Sequence, residues 1–283
     1  MTKRALILGG GGVAGIAWET GVIIGLADAG LDIRDADLFL GTSAGATVAA
    51  QITSGLSFEA LFQRQADPAL QAKELTAHLD LQKMTDDYTR ALEGARDSTE
   101  ILQRIGALAL TIPTVSEAKR REVIASRLPV HSWPEIAMEI IAVDTQSGER
   151  HVFTRDTGVD LVDAVAASCA VPCIWPPVTI GGLRYMDGGV YSNENADIAA
   201  GFERVLVITP ETPFVLVEKL DTQVTQLRHQ GARVEIIHPD KAMNSALASV
   251  GGNMLDPSLR ERLAKIGREQ GRRIIDQATS LWR

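Results

Sequence analysis

Short apolar runs alternate with longer segments of helical periodicity along the first third of the chain. Residues 5–8 are apolar and end at consecutive glycines, which is typical of a buried parallel strand. Helical spacing follows over 16–29 with Gly30 as a stop signal, a second apolar run covers 38–40, and 43–52 fits a helix of small residues. Strands that alternate with helices at this spacing predict parallel pairing in an α/β sandwich.

The region 57–128 differs, because it has helical patterns and no strand pattern between them. Its predicted helices are 58–65, 68–79, 99–110 and 116–128. Such an insertion can cover a site as a cap or pack as an ordinary layer on the sheet, and the pattern favours neither.

Strand patterns return after the insertion. The predicted strands are 136–143, 151–154, 179–180, 184–186, 205–208 and 234–237. The predicted helices are 159–168, 214–229 and the tail 257–283. No repeat or linker divides the chain, so we expect one domain over 1–283. Its predicted parts are a core over about 3–210, the helical insertion over about 57–128, and C-terminal strand and helices over about 211–283.

Composition excludes several classes of protein. The 283 residues include 28 basic and 36 acidic side chains, a net charge of −8, so a global basic footprint for nucleic acid is absent. Two cysteines, Cys169 and Cys173, cannot form a disulfide framework and are interpreted as buried free thiols in a reducing compartment. The apolar run 5–8 is too short for a signal peptide, and prolines interrupt the long uncharged stretch 164–183. We therefore expect a cytoplasmic protein, with membrane contact only at the inner surface.

A glycine-rich segment at 10–15 directly follows the first predicted strand. Glycines let the backbone approach a ligand closely, and successive free N–H groups at a helix start form an anion cradle. The segment also fits the G-x-G-x-x-G pattern of dinucleotide-binding proteins. That alternative needs an acidic residue at the end of the second strand, where this chain has Gly41.

The segment Gly41-Thr42-Ser43-Ala44-Gly45 lies between a predicted strand and a predicted helix, the context of a nucleophile elbow. Small residues are needed at both ends because strand and helix nearly touch at such a turn. The turn lifts the serine hydroxyl out of the backbone, and the helix N-terminus favours negative charge beside it. Ser43 is therefore the candidate nucleophile.

Asp187 is the candidate base, because a serine hydroxyl reacts only when a base takes its proton. A carboxylate can do this when it is packed against the serine and shielded from water, which raises its basicity. Gly188 and Gly189 would let the chain turn the carboxylate toward Ser43. A hairpin turn with a solvated aspartate fits the same spacing equally well.

Histidine is the alternative base. The order Ser43, Asp187 and then His229 or His238 fits the triad of α/β-hydrolases. In that fold, however, the oxyanion loop and the elbow are much further apart than in this chain. His238 also ends a predicted strand and precedes Pro239, which favours a structural role.

Together, the three motifs resemble those of bacterial patatin-like phospholipases. That family has a glycine-rich oxyanion loop, an early G-x-S-x-G and a late D-G-G or D-G-A. The segment 167–172, the prolines at 176–177, and Asp144 with Gly148 are also similar to the family. The resemblance covers about residues 3–210. It implies an α/β fold, a three-layer α/β/α patatin-like sandwich with a mainly parallel central sheet, and a Ser-Asp dyad without catalytic histidine, metal or cofactor. The roles that it implies are nucleophile for Ser43, base for Asp187, oxyanion donors for Gly10, Gly11 and Gly12, and support for Gly15, Gly41, Gly45, Gly188 and Gly189.

The implied function is that of a serine lipid acyl hydrolase, which cleaves ester bonds of phospholipids or other acyl lipids through an acyl-serine intermediate. Many family members have Lys or Arg before the last glycine of the first motif, where this chain has Ala14. That difference weakens the expectation of a charged phospholipid as the substrate. Acyl transfer by the same acyl-enzyme and a non-catalytic regulatory role remain alternatives.

The expected partner is an acyl lipid, with no nucleic acid. The tail 257–283 has seven basic and three acidic residues, a net charge of 7 − 3 = +4. A basic amphipathic helix of this kind can lie on an anionic membrane. Packing of the helix on the sheet is the interpretation that we favour.

Overall fold

A computed structural model describes residues 2–75, 81–210 and 217–283. Its strands are β1 (Arg4–Leu8), β2 (Leu38–Thr42), β3 (Ala137–Asp144), β4 (Arg150–Phe153), β5 (Val178–Ile180), β6 (Leu183–Asp187), β7 (Arg204–Ile208) and β8 (Arg233–Ile237). They form one eight-stranded sheet in which hydrogen-bonded pairs link β5 to β6, β6 to β3, β3 to β2, β2 to β1, β1 to β7 and β7 to β8, and β4 also pairs with β3. The pairs from β3 through β2, β1 and β7 to β8 are parallel, and β4, β5 and β6 pair antiparallel. The mainly parallel sheet is confirmed.

The helices lie around this sheet. They are α1 (Gly12–Asp28), α2 (Ala44–Ile52), α3 (Phe58–Ala66), α4 (Leu81–Leu92), α5 (Ser98–Thr111), α6 (Glu117–Arg127), α7 (Leu161–Ser168), α8 (Leu220–His229), α9 (Lys241–Ala248), α10 (Arg260–Arg273) and α11 (Ile275–Trp282). Short 3-10 turns lie at Gly188–Val190, directly after β6, and at Ala196–Ala199, before β7.

The helix predicted at 68–79 is wrong over the residues that can be checked. Residues 68–70 form a turn and 72–75 have no regular structure, while 76–79 lie outside the described residues. A helix that the sequence does not predict is present instead at Leu81–Leu92, as α4, with Met84 and Tyr88 buried one turn apart on the same face. The helix predicted at 214–229 is present from Leu220, and residues 214–216 are not described.

Alternation of side chains along the central strands produces two cores, one on each face of the sheet. Leu6 and Leu8 face the larger core, which contains buried residues of α1, α2, α7 and α10. Ala5 and Ile7 face the other core, which α8 covers. Because successive side chains of a strand point to opposite faces, this arrangement makes three layers. The expected α/β/α sandwich is confirmed.

The helical insertion packs in two places. Buried residues of α3 and α6 belong to the larger core, so these helices form part of a layer. Met84 and Tyr88 of α4 and Ile105 of α5 instead pack with Met186 of β6 in a third cluster. Part of the insertion therefore lies beside the strand that ends at Asp187.

The C-terminal helices pack against the body of the protein. Leu263 and Ala264 of α10 and Trp282 of α11 are buried in the larger core. Arg268 and Arg272 both form ion pairs with Asp28 of α1. The tail thus uses its apolar face for packing, but only α11 lies on the sheet, against β7 and β8, while α10 packs on α1. Among the residues that can be described, no helix is long and apolar enough to cross a membrane.

Candidate active site

Two strands meet end to end at the candidate site. On β3, residues Ile140 and Ile141 pair with β2 on one edge and with β4 on the other. One step further, Ala142 and Val143 pair with β4 and with β6. Therefore β2 and β6 share the same edge of β3. Thr42 lies opposite Ile141 and Asp187 lies opposite Ala142, so the sheet brings the C-terminal ends of the two strands together.

The turn from β2 into α2 has the backbone of a nucleophile elbow. Ser43 has φ 53° and ψ −113°, a strained conformation for a residue with a side chain. A Cβ on Gly45 would lie 2.0 Å from the carbonyl oxygen of Leu8, and one on Gly41 would lie 2.5 Å from Cα of Ala46. Only glycine permits this close approach of strand and helix, which agrees with the reason for predicting an elbow here.

Asp187 lies in a buried position at the end of β6, with 4% of its surface exposed. Its Oδ1 accepts a hydrogen bond of 2.7 Å from the N–H of Gly189, while Oδ2 has no hydrogen-bond partner in the described part of the chain. Burial raises the pKa of Asp187 to about 7, although the Ser43 hydroxyl, the Gly189 N–H and the charge of Arg120 act in the opposite direction. The aspartate is thus shielded rather than solvated.

The Ser43 hydroxyl lies close enough to Asp187 to influence this pKa. No Ser43–Asp187 contact between described atoms has full hydrogen-bond geometry, which leaves Oδ2 unpaired. Catalytic hydrogen bonds are often long in the absence of substrate and tighten on binding. Ser43 is 8% exposed, so both groups are largely covered by protein.

The glycine-rich loop lies against Ser43, because a Cβ on Gly10 would be 3.5 Å from Cβ of Ser43. The Gly10 N–H donates to the carbonyl oxygen of Asn193 at 3.0 Å. This contact conflicts with the predicted role of Gly10 as an oxyanion donor, since its N–H is already in use. In the described part of the chain, the N–H groups of Gly11, Gly12 and Ala44 donate to no acceptor.

Close contacts surround the glycines predicted to support the site. Gly15 approaches Ala44, and its N–H donates to the carbonyl oxygen of Gly11 at 2.7 Å. A Cβ on Gly188 would lie 2.5 Å from the carbonyl oxygen of Ile141 of β3. A Cβ on Gly189 would lie 3.0 Å from Oδ1 of Asp187. These contacts explain why two glycines follow the aspartate.

Asn193 and Asn195 connect the motifs, although no sequence pattern marks either residue as functional. Asn193 binds the Gly10 loop through its carbonyl oxygen, and its Nδ2 contacts Oγ1 of Thr209 at 3.0 Å. Nδ2 of Asn195 donates to Oγ1 of Thr42, the residue before the candidate nucleophile, also at 3.0 Å. The only sequence signal is their position shortly after Asp187, which is too general to define a role.

The alternative triad receives no geometric support from the histidines that can be described. His229 ends α8, and the backbone carbonyl of His238 accepts a hydrogen bond from Gln270. Neither histidine hydrogen-bonds with Ser43 or Asp187 among the described contacts. His78 lies outside the described residues.

This combination of sheet, elbow and buried carboxyl belongs to a known class of proteins. The family model "patatin-like phospholipase" matches residues 6–200. The chain therefore belongs to the patatin-like phospholipase family, and lipid acyl hydrolysis is the general activity that this membership supports. A comparison with curated proteins returns no match.

Solved structures are also similar to the chain. VipD from Legionella pneumophila is 14% identical, with a TM-score of 0.48 over 98% of this chain and 67% of VipD. The type III effector ExoU is 15% identical, with a TM-score of 0.42 over 98% of this chain and 53% of ExoU. ExoU of Pseudomonas aeruginosa in complex with SpcU is 17% identical, with a TM-score of 0.38 over 96% of this chain and 52% of that chain. The chain thus spans two thirds of VipD and about half of ExoU.

Proposed function

We propose that this protein is a serine lipid acyl hydrolase in which Ser43 attacks an ester carbonyl and Asp187 takes the serine proton. The observation that carries the proposal is the meeting of β2 and β6 on one edge of β3, which brings the elbow serine and a buried carboxyl together. Family membership supports the general activity, and this geometry supports the proposed roles of Ser43 and Asp187.

Asp187 has the properties of a general base. One carboxyl oxygen is oriented by the Gly189 N–H, and the other has no partner among the described residues and is free to accept a proton. Burial raises the pKa of Asp187 to about 7. Near neutral pH, a base with this pKa is partly ionised and still binds a proton strongly. An exposed aspartate with an ordinary pKa near 4 would be a much weaker base.

The negative charge of the tetrahedral intermediate needs N–H donors. We assign this role to Gly11 and Gly12, whose N–H groups have no acceptor within the described structure, and add Ala44, which follows the nucleophile. The N-terminal ends of α1 and α2 both lie at this point, and their dipoles favour an anion. Gly10 then shapes the loop, and its N–H donates to Asn193 rather than to the oxyanion.

In the proposed reaction, the Ser43 oxygen forms a bond to the ester carbonyl carbon while its proton passes to Asp187. The carbonyl oxygen carries the negative charge until the ester C–O bond breaks, and the alcohol leaves with the proton from Asp187. Water then attacks the acyl-serine by the same steps and releases the fatty acid. Asp187 thus acts alternately as base and acid, as in other covalent hydrolases.

A fluorophosphonate probe tests the nucleophile directly. We expect the wild-type protein to be labelled and the Ser43→Ala variant to remain unlabelled, with loss of hydrolysis of p-nitrophenyl esters. Ser280→Ala, which changes an exposed serine of α11 beside the start of β8, at the other end of the parallel strands, should label like the wild type. Labelling of Ser43→Ala at the wild-type rate would reject Ser43 as the nucleophile.

The base is tested by Asp187→Asn, which has nearly the same shape but cannot accept the proton. We expect turnover to fall by about 10²–10⁴-fold, the usual contribution of a general base. Circular dichroism should show an unchanged fold. His151→Gln, His229→Gln and His238→Gln should each retain activity, and a comparable loss in one of them would favour a triad instead.

A further inference from the structure

Two side chains at the end of α7 hold the backbone of Ser43. Oγ of Ser168 accepts a hydrogen bond of 2.8 Å from the N–H of Ser43. The thiol of Cys169 lies 3.2 Å from the carbonyl oxygen of Ser43 and donates to it. Ser168 is 0% exposed and Cys169 is 4% exposed, so water does not replace either contact. The peptide groups on both sides of Ser43 are therefore fixed by one short segment.

These contacts act on a strained residue. Ser43 has φ 53°, and a conformation of this kind persists only when the surrounding structure enforces it. The Ser43 carbonyl oxygen also accepts from the Ala46 N–H at 3.1 Å within the first turn of α2. The Ser43 N–H, in contrast, has Ser168 as its one acceptor among the described residues. Ser168 is thus the less replaceable of the two partners.

The same segment also contacts the candidate base. The N–H of Asp187 donates to the carbonyl oxygen of Ala170 at 3.0 Å. Three successive residues, Ser168, Cys169 and Ala170, therefore bind the backbone of Ser43 on one side and the backbone of Asp187 on the other. The distance between serine hydroxyl and carboxyl depends on this segment as well as on β3.

We propose that Ser168 and Cys169 are positioning residues, which hold the strained backbone of Ser43 so that its hydroxyl points toward Asp187. The inference rests on the proposed function, in which Ser43 is the nucleophile. Neither side chain reacts. Ser168 acts as an acceptor for the Ser43 N–H, and Cys169 acts as a donor to the Ser43 carbonyl.

The chemistry of Cys169 fits this role. Burial raises the pKa of the Cys169 thiol, so the group keeps the proton that it donates. Its sulfur also lies 3.7 Å from Oγ1 of Thr47, in the first turn of α2. A thiol is a weak donor, and the Ser43 carbonyl retains the Ala46 contact without it. The contribution of Cys169 should therefore be smaller than that of Ser168.

The first experiment measures the rate of fluorophosphonate labelling and the kcat and KM for a p-nitrophenyl ester. Ser168→Ala should lower labelling and kcat by about 10²-fold at nearly unchanged KM, since a small displacement of a reacting atom has effects of this size. Cys169→Ala should lower both by about 2- to 10-fold, the equivalent of one hydrogen bond. Cys169→Ser keeps a donor and should recover most of the loss.

Matched controls separate positioning from general stability. Cys173→Ala changes the second free cysteine, and Ser126→Ala removes a hydroxyl that donates to the carbonyl oxygen of Val123 within α6. Both should label at the wild-type rate. Ser168→Ala that is folded and labels at the wild-type rate would overturn the proposal. If Ser168→Ala does not fold, equal rates for Cys169→Ala and Cys169→Ser would overturn it.

Hydrogen exchange provides a readout that does not require activity. In Ser168→Ala, the amide of Ser43 loses its acceptor, so a peptide covering 40–47 should exchange faster while peptides from β1 and β7 remain unchanged. Unchanged exchange at 40–47 would overturn the proposal that Ser168 holds this backbone. A wild-type protein that is not labelled would instead refute the proposed function, and the exchange result would still decide whether Ser168 holds Ser43.

Discussion

The pKa of Asp187 makes a prediction at the scale of one residue. Because burial raises this pKa to about 7, a substantial fraction of the carboxyl groups is protonated at neutral pH and cannot act as a base. We expect kcat/KM for a neutral ester to increase with pH through an apparent pKa of about 7 and to level off above it. A stopped or continuous assay between about pH 5 and 9 measures the profile. Activity that is already maximal at the acidic end would show that another group, or an ordinary carboxylate, takes the proton.

The same carboxyl group should reduce the stability of the protein. The ordinary pKa of an aspartate is 3.8, so in the unfolded chain this carboxyl ionises at a much lower pH than in the folded protein. The free energy of unfolding therefore falls as pH rises from about 4 through about 7, by an amount on the order of 4 kcal/mol for a shift of this size. Asp187→Asn should be more stable than the wild type at about pH 8 and similar at about pH 4, as measured by denaturant titration. Equal stability of the two proteins at both pH values would argue against a shielded carboxyl.

The candidate catalytic residues can be predicted from the sequence, whereas the residues that position them cannot. The sequence predicts Ser43 and Asp187 because each stands in a short motif with a glycine pattern that has a local reason. The occupied N–H of Gly10 and the contacts of Asn193 and Ser168 depend on segments far apart in the chain. A single sequence contains no spacing rule for such contacts, so they become visible only when the fold is known.

Glycines determine how two helices pack, and this makes a prediction at the scale of elements. A Cβ on Gly25 of α1 would lie 2.1 Å from the carbonyl oxygen of Arg268, and one on Gly271 of α10 would lie 2.3 Å from that of Val22. The two helices therefore touch backbone to backbone. Gly25→Ala should force them apart and destabilise the protein by about 1–3 kcal/mol, more than the gain in helix propensity.

Thermal unfolding of two variants tests this contact. Ala27→Ser adds the same number of heavy atoms to the same helix at a half-buried position, and its melting temperature should remain close to that of the wild type. Gly25→Ala should melt several degrees lower. If Gly25→Ala melted at or above the wild-type temperature, the close packing of α1 and α10 would be wrong.

Elements with a strong local pattern are predicted well from the sequence, and elements shaped by distant contacts are not. The strands at 5–8 and 205–208 are continuous apolar runs, because central strands of a parallel sheet are buried on both faces. The apolar spacing of 68–75 allows a helix, which is why the sequence predicts one there. In the structure, Glu74 turns inward to an ion pair with Arg127. A tertiary contact of this kind overrides a weak propensity.

Glu74 also connects three distant parts of the molecule. Its side chain is 3% exposed and forms a hydrogen-bonded ion pair with Arg127 of α6 at 2.6 Å. Arg260 of α10 lies at 3.4 Å and Arg120 of α6 at 3.8 Å. Burial alone raises the pKa of Glu74, but Arg127, Arg260 and Arg120 outweigh it, so the pKa is lowered. One carboxylate thus faces three buried arginines and connects the segment after α3 to α6 and to the C-terminal helices.

Removing this single negative charge should affect the whole molecule, because three buried cations would lose their counterion. We expect Glu74→Gln to reduce the free energy of unfolding by about 3–5 kcal/mol at neutral pH, measured by denaturant titration, because one partner of a buried ion pair is lost. Glu59→Gln is the control, since Glu59 is 60% exposed and its contact with Arg268 is long, at 3.4 Å; it should cost less than about 1 kcal/mol. The lowered pKa of Glu74 means that its contribution is present above pH 4.5 and is lost as the pH falls below that value, so the difference between wild type and Glu74→Gln should shrink in acid. Equal effects of the two variants at neutral pH would show that the arginines do not depend on Glu74.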